Sequence, residues 1–103
     1  MSRPTEIKIG PLRFKMVYGP LGDLSGRYKG GESIIEIDDS YPAQNMLQTT
    51  LHEIQHGIFK AVGEIEMGNN EDMVDKLASA WMTTLLESEG LLEWLMEIRQ
   101  DRA

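Results

Sequence analysis

The sequence predicts an α+β fold: a small N-terminal antiparallel sheet, of about three strands, packed on three helices. Two observations carry this expectation. Six of the ten glycines fall within the first 31 residues, where they punctuate short segments that alternate apolar and polar side chains. From Pro42 onward that two-residue period gives way to a helical one.

Taken in order, residues 5–9 alternate Ile7 and Ile9 with polar neighbours, and residues 13–18 alternate Phe14, Met16 and Tyr18. Each reads as a strand with one buried face. Residues 20–26 read as a loop. Residues 26–29 and 33–38 then form a hairpin about Gly30-Gly31, because a glycine pair supplies the positive φ angles of a tight turn. In the first helix Leu47, Leu51, Ile54, Ile58 and Val62 fall within about a quarter-turn of one another. Ser40 or Pro42 starts it and Gly63 stops it. EIEMGNN, residues 64–70, is expected to be a connecting loop. A second helix, capped by Asn69 or Asn70, carries Val74, Leu77, Ala78, Trp81 and Leu85 as its stripe. Gly90 breaks it, and residues 91–102 form a third helix with Leu91, Leu92, Leu95 and Ile98 inward. Trp81, Trp94 and the methionines are expected in the core.

With 103 residues the chain has room for one domain, 1–103, around one core. Seventeen acidic side chains against ten basic ones give a net charge of -7, and no Lys/Arg run offers a patch for DNA or RNA, so no nucleic-acid partner is expected. The absence of cysteine excludes disulfides, thiolate metal sites and thiol catalysis. No apolar run nears the ~18 residues of a membrane span. MSRPTEIKIG also lacks the apolar segment of a signal peptide. The expectation is a soluble, cytoplasmic protein without a membrane partner.

The chemistry concentrates in TLHEIQHGIF. Its histidines, His52 and His56, are the only two in the chain, and Glu53 follows the first directly. On a helix, residues i and i+4 project from one face, so both imidazoles can reach one ion. Zinc takes neutral histidine nitrogens, and a catalytic site adds one more protein ligand and keeps a position for water. A carboxylate beside that water can take its proton, and Glu53 stands on the neighbouring flank for this role of general base. With no third histidine and no cysteine, the remaining ligand must be an oxygen donor. Glu71 and Asp75, also i and i+4, open the second helix at the border of its buried face. Glu71 suits a ligand and Asp75 suits an acceptor for the outer N–H of a ligand histidine. Asp72, Glu64 and Glu66 are rival donors. Against a metal site stand two plain readings. The histidines lie about opposite the leucine stripe, where solvent-facing residues go, and acids in a first helical turn complement the helix dipole. Tyr18, Tyr28 and Tyr41 could each stabilise an oxyanion, and the sequence does not choose among them.

The stretches SIIEIDDSYPAQNMLQTTLHEIQHGIFKAVG and NEDMVDKLASAWMTTLLE resemble the small zincin-like metallopeptidases of bacteriophages and prophages. Those are compact relatives in style of the ImmA/IrrE-type peptidases and of the gluzincins. The resemblance covers roughly residues 33–90. It implies a minimal zincin-like fold with zinc as cofactor, His52, His56 and Glu71 as its ligands, Glu53 as general base, and Asp75 as the aspartate four residues after the glutamate ligand. It further implies that residues 33–38 form the edge strand of an active-site cleft, pairing with an extended protein or peptide substrate. A chain this short would complete a cleft with a partner or as a homodimer. Two other functions fit the residues: a zinc-bearing structural or assembly phage protein whose site Asp72 closes, and a metal-free interaction module using the acidic surface.

Overall fold

The structure is a computed structural model that describes residues 3–102. It is α+β, as the change of period near Pro42 implies, with a four-stranded mixed sheet and four helices. Strands β1 (Glu6–Ile9), β2 (Leu12–Tyr18), β3 (Gly26–Lys29) and β4 (Ile34–Ile37) stand in the order β1-β2-β4-β3. β1 and β2 pair antiparallel through a tight turn at Gly10, whose φ of 56° requires the freedom of glycine. β4 lies parallel to β2 and antiparallel to β3, so it occupies the middle of the sheet. The edge strands are therefore β1 and β3, not residues 33–38 as expected. The hairpin is also built differently. A 3₁₀ turn at Gly30–Glu32 leads into Ser33, which takes the left-handed conformation (φ 56°) expected of the glycine pair.

Period-2 alternation sends Ile9, Phe14, Met16, Ile35 and Ile37 to one face, each at most 4% exposed, and these form the core. Helix α1 (Ala43–Ala61) lies across that face. Its row Thr49, Glu53, Gly57 and Ala61, at i+4 spacing, is turned toward the sheet. A Cβ at Gly57 would stand 2.6 Å from Ile9 Cδ1, and one at Gly26 would stand 2.5 Å from Thr49 Cγ2. Glycine on both elements lets the helix settle close to the strands. The expected aliphatic stripe is only partly the buried one. Ile54 packs on the core, whereas Ile58 and Val62 are exposed and Thr49, Glu53 and Gln55 are buried. Because α1 is covered by the sheet on one side and by α3 on another, its buried surface is wider than its apolar stripe and rotated from it.

Residues 65–68, expected in a loop, form a short helical turn, α2 (Ile65–Gly68), after Gly63 ends α1 with a φ of 79°. Helix α3 (Glu71–Glu87) starts at Asn70, whose side-chain oxygen accepts from the Met73 N–H at 3.1 Å. It runs antiparallel to α1, burying Val74 and Ala78. Gly90, with a φ of 81°, leads into α4 (Leu91–Arg102). Here the expectation fails: Leu91 is partly buried, but Leu92, Leu95 and Ile98 are exposed. Trp81, Trp94, Met67 and Met96 are exposed as well, and Met16 is the methionine found in the core. α1 already fills the apolar face of the sheet, which leaves α4 nothing of that face to dock on. Among the described residues no helix is long and apolar enough to cross a membrane.

Candidate metal centre

The H-E-x-x-H segment lies in the middle of α1, opposite the N-terminus of α3. Antiparallel packing brings one turn of each helix together. His52 Nε2 is 2.9 Å from Glu71 Oε2, and His56 Nε2 is 3.1 Å from Glu71 Oε1. One ligand atom from each of His52, His56 and Glu71 lies within 4.8 Å of the other two, the one group among the described residues with this property. Of the candidate oxygen donors, Glu71 joins the histidines. Asp72 instead pairs with Lys76 at 2.9 Å, and Glu64 and Glu66 stay outside the group. The histidines are not the solvent-facing residues that the stripe implied: their side chains are 19% and 13% exposed, in the wall of a cleft.

Hydrogen bonding fixes how the rings present themselves. His56 Nδ1 is 2.7 Å from the Gly68 carbonyl oxygen. A carbonyl only accepts, so Nδ1–H donates and Nε2 is turned to Glu71. His52 Nδ1 is 3.4 Å from Asp75 Oδ1, on the side away from Glu71. Asp75 is held in turn by Gln48, whose amide donates to Oδ1 at 3.0 Å. His52 Nε2, His56 Nε2 and both carboxylate oxygens of Glu71 thus converge on one spot. Such an arrangement suits a cation, and tetrahedral zinc with bonds of about 2.0–2.2 Å sets its ligand atoms roughly 3.3–3.6 Å apart. The 2.9 and 3.1 Å separations are hydrogen-bond distances, so the ring nitrogens and the carboxylate would part by a few tenths of an ångström to admit the ion.

Glu53 is 6% exposed, beneath the histidines and against Gly26, where a Cβ would come 3.2 Å from Glu53 Oε2. Burial pushes its carboxyl up to about 7; the charge of His52 pulls it down and that of Glu71 adds to the rise. A carboxyl poised near neutrality suits general-base work. The cluster opens into a cleft of about 820 Å³ with β3 on one side and Gly68, Glu71 and Asp75 on the other. Of the three tyrosines, Tyr28 lies in this cleft. It stacks on His56 at a centroid distance of 5.7 Å, and its hydroxyl is buried without a hydrogen-bond partner. Tyr18 donates to the Pro4 carbonyl at 2.7 Å, and Tyr41 borders a separate groove with Met82.

Four supporting residues lie outside the expected set. Gln48 had a signal, since Gln48, His52, His56 and Lys60 form one i+4 row. Thr49 and Gly57, four residues either side of Glu53, also had one, as small side chains that let the glutamate reach the sheet. The Gly68 carbonyl had none, because every residue carries one. No family model, curated protein or solved structure matches the chain.

Proposed function

We propose that this protein is a zinc-dependent metallopeptidase in which His52, His56 and Glu71 hold the metal and Glu53 is the general base. The observation that carries this reading is the meeting of that ligand set with a buried, near-neutral carboxyl in an open cleft. Bound zinc would polarise the substrate carbonyl and acidify water. The chain's own groups do the rest. Gly68 O and Asp75 orient the two imidazoles, and Glu53 takes the proton of the attacking water and returns it to the leaving amine.

The substrate would lie along β3. The Asp38 N–H donates to Ser25 O at 2.9 Å, and the β3–β4 register continues from that pair. Ser25, Arg27 and Lys29 therefore bond to β4, and the backbone groups of Gly26 and Tyr28 point away from the sheet. An extended peptide can pair with that edge. Work in the cytoplasm of a bacterial host belongs to the same proposal and rests on the resemblance to phage peptidases. The alternative, a structural zinc protein, calls for a fourth protein ligand, and Asp72, the residue suited to close the site, is engaged with Lys76.

Native mass spectrometry and a protease assay on a mixed peptide pool test the proposal together. One zinc per chain is expected, weakened by His52→Ala and Glu71→Ala. Glu53→Gln should keep zinc and lose zinc-dependent hydrolysis by about 10²-fold or more. Full activity in Glu53→Gln, or no zinc in the parent, overturns it.

A further inference from the structure

α4 carries an apolar face that the rest of the chain leaves uncovered. Leu91, Trp94, Leu95 and Ile98 recur at i, i+3, i+4 and i+7, and Leu92 and Met96 adjoin them. Trp94 is 59% exposed, Met96 53% and Leu95 43%. Leu95 and Ile98 line a shallow groove of about 470 Å³ with Arg99 and Arg102. A helix of 12 residues is marginal in water on propensity alone, so it needs a cover to stay folded.

We propose that the cover is a second copy of the same helix, so that the protein is a homodimer whose α4 helices pack antiparallel. Area is the first argument. The exposed apolar side chains of α4 present on the order of 500 Å². A standard interface takes about 800 Å² from each partner, roughly 60% of it apolar, which is nearly the same apolar area. Charge is the second. Glu93 stands in the first turn of α4, just after Glu87 and Glu89, while Arg99 and Arg102 stand in the last. Antiparallel pairing places Arg102, on the apolar face, beside the partner's first turn, which follows Glu87 and Glu89, and opposes the two helix dipoles. Parallel pairing would instead set Arg102 of both copies together on the shared face. In the antiparallel register Leu95 faces the partner's Ile98, and the stem of Arg102 covers the partner's Leu91. An anionic bilayer is a poorer occupant, because Glu93, Glu97 and Asp101 line the polar side of α4 and the chain carries -7.

Sedimentation equilibrium of the full chain across the micromolar range tests this. The expected mass is twice the 11.7 kDa of one chain. Leu95→Glu should weaken association about 100-fold or more. Leu95 lies outside the core, so the variant should keep a cooperative thermal unfolding of the sheet and α1, with circular dichroism losing no more than the helicity of an uncovered α4. The chain has no cysteine, which makes orientation testable. A mixture of Leu95→Cys and Ile98→Cys proteins should oxidise mainly to the mixed dimer. A monomer at all concentrations overturns the proposal, as does a dimer that survives Leu95→Glu. Monomers that co-sediment with phosphatidylglycerol vesicles would also overturn it, in favour of a bilayer, and preferential Leu95→Cys self-linkage would overturn the antiparallel arrangement.

Discussion

Glu53 sits where two demands conflict: burial favours its neutral form, and base catalysis needs its ionised one. Its carboxyl is raised from 4.5 to about 7, so ionisation opposes folding in the metal-free protein. Stability is fully present below about pH 4.5 and is lost as pH rises through about 7. Glu53→Gln keeps the shape and removes the charge. The metal-free variant should match its parent near pH 4.5 and exceed it by of order 2 kcal/mol above pH 7. Urea denaturation at the two pH values measures this, and equal stability at both would place the glutamate in a wetter setting than the structure gives it. Asp75, 3.4 Å from His52 Nδ1, would act on a metal through that ring and calls for a separate experiment. Asp75→Asn should lower zinc affinity by about 10–100-fold in competition with a chelator, while the fold stays intact. The grouping of His52 and His56 with Glu71 and Asp75 was legible at the residue scale, because each pair is spaced i+4 on its helix. The carbonyl of Gly68 was not legible, since its place depends on how α2 turns back onto His56.

At the scale of elements, placement depends on two small devices. The Asn70 cap fixes where α3 begins, and hence where Glu71 stands. Asn70→Ala should cost about 1 kcal/mol by thermal or urea unfolding and weaken zinc binding with it. A loss of stability with zinc affinity unchanged would separate the cap from the site. Gly26 sets how close α1 lies to β3. Gly26→Ala forces a methyl to within 2.5 Å of Thr49 Cγ2 and should cost about 1–3 kcal/mol. Thr49→Ser removes Cγ2, so the double variant should recover part of the loss, and strict additivity would refute this contact as the cause. Strand existence was readable from alternation at Ile7/Ile9 and Phe14/Met16. Strand pairing was not, because period 2 is the same whether β4 joins β2 parallel or antiparallel. α1 was misread for a related reason. Hydrophobic period finds aliphatic stripes, whereas the sheet-facing row is Thr49, Glu53, Gly57 and Ala61, chosen for size as much as for polarity.

For the molecule as a whole, two buried carboxyls pull stability in opposite directions as pH changes. Asp38 accepts from the Ser40 hydroxyl at 2.6 Å, the Ser40 N–H at 2.9 Å and the Leu21 N–H at 3.1 Å, tying the β2–β3 connection to the start of α1. These bonds, the Ser40 hydroxyl first, hold its carboxyl below 3.8. Its contribution is present above that value and is lost as pH falls through the lowered one. Glu53 contributes the reverse slope at higher pH. The metal-free protein should therefore be most stable at about pH 4–4.5, above the Asp38 loss and below the onset of the Glu53 loss, rather than on the neutral plateau common among small domains. Zinc should erase the upper limb, because its charge favours ionised Glu53 and binding itself stabilises the folded state. Denaturation midpoints followed across pH, with and without zinc, would resolve the two limbs. Asp38→Asn should flatten the acid side only, and Glu53→Gln the neutral side only and only without metal. If zinc left the neutral limb unchanged, the ion would not be bound beside Glu53, and the metal centre and the proposed chemistry would both have to be abandoned.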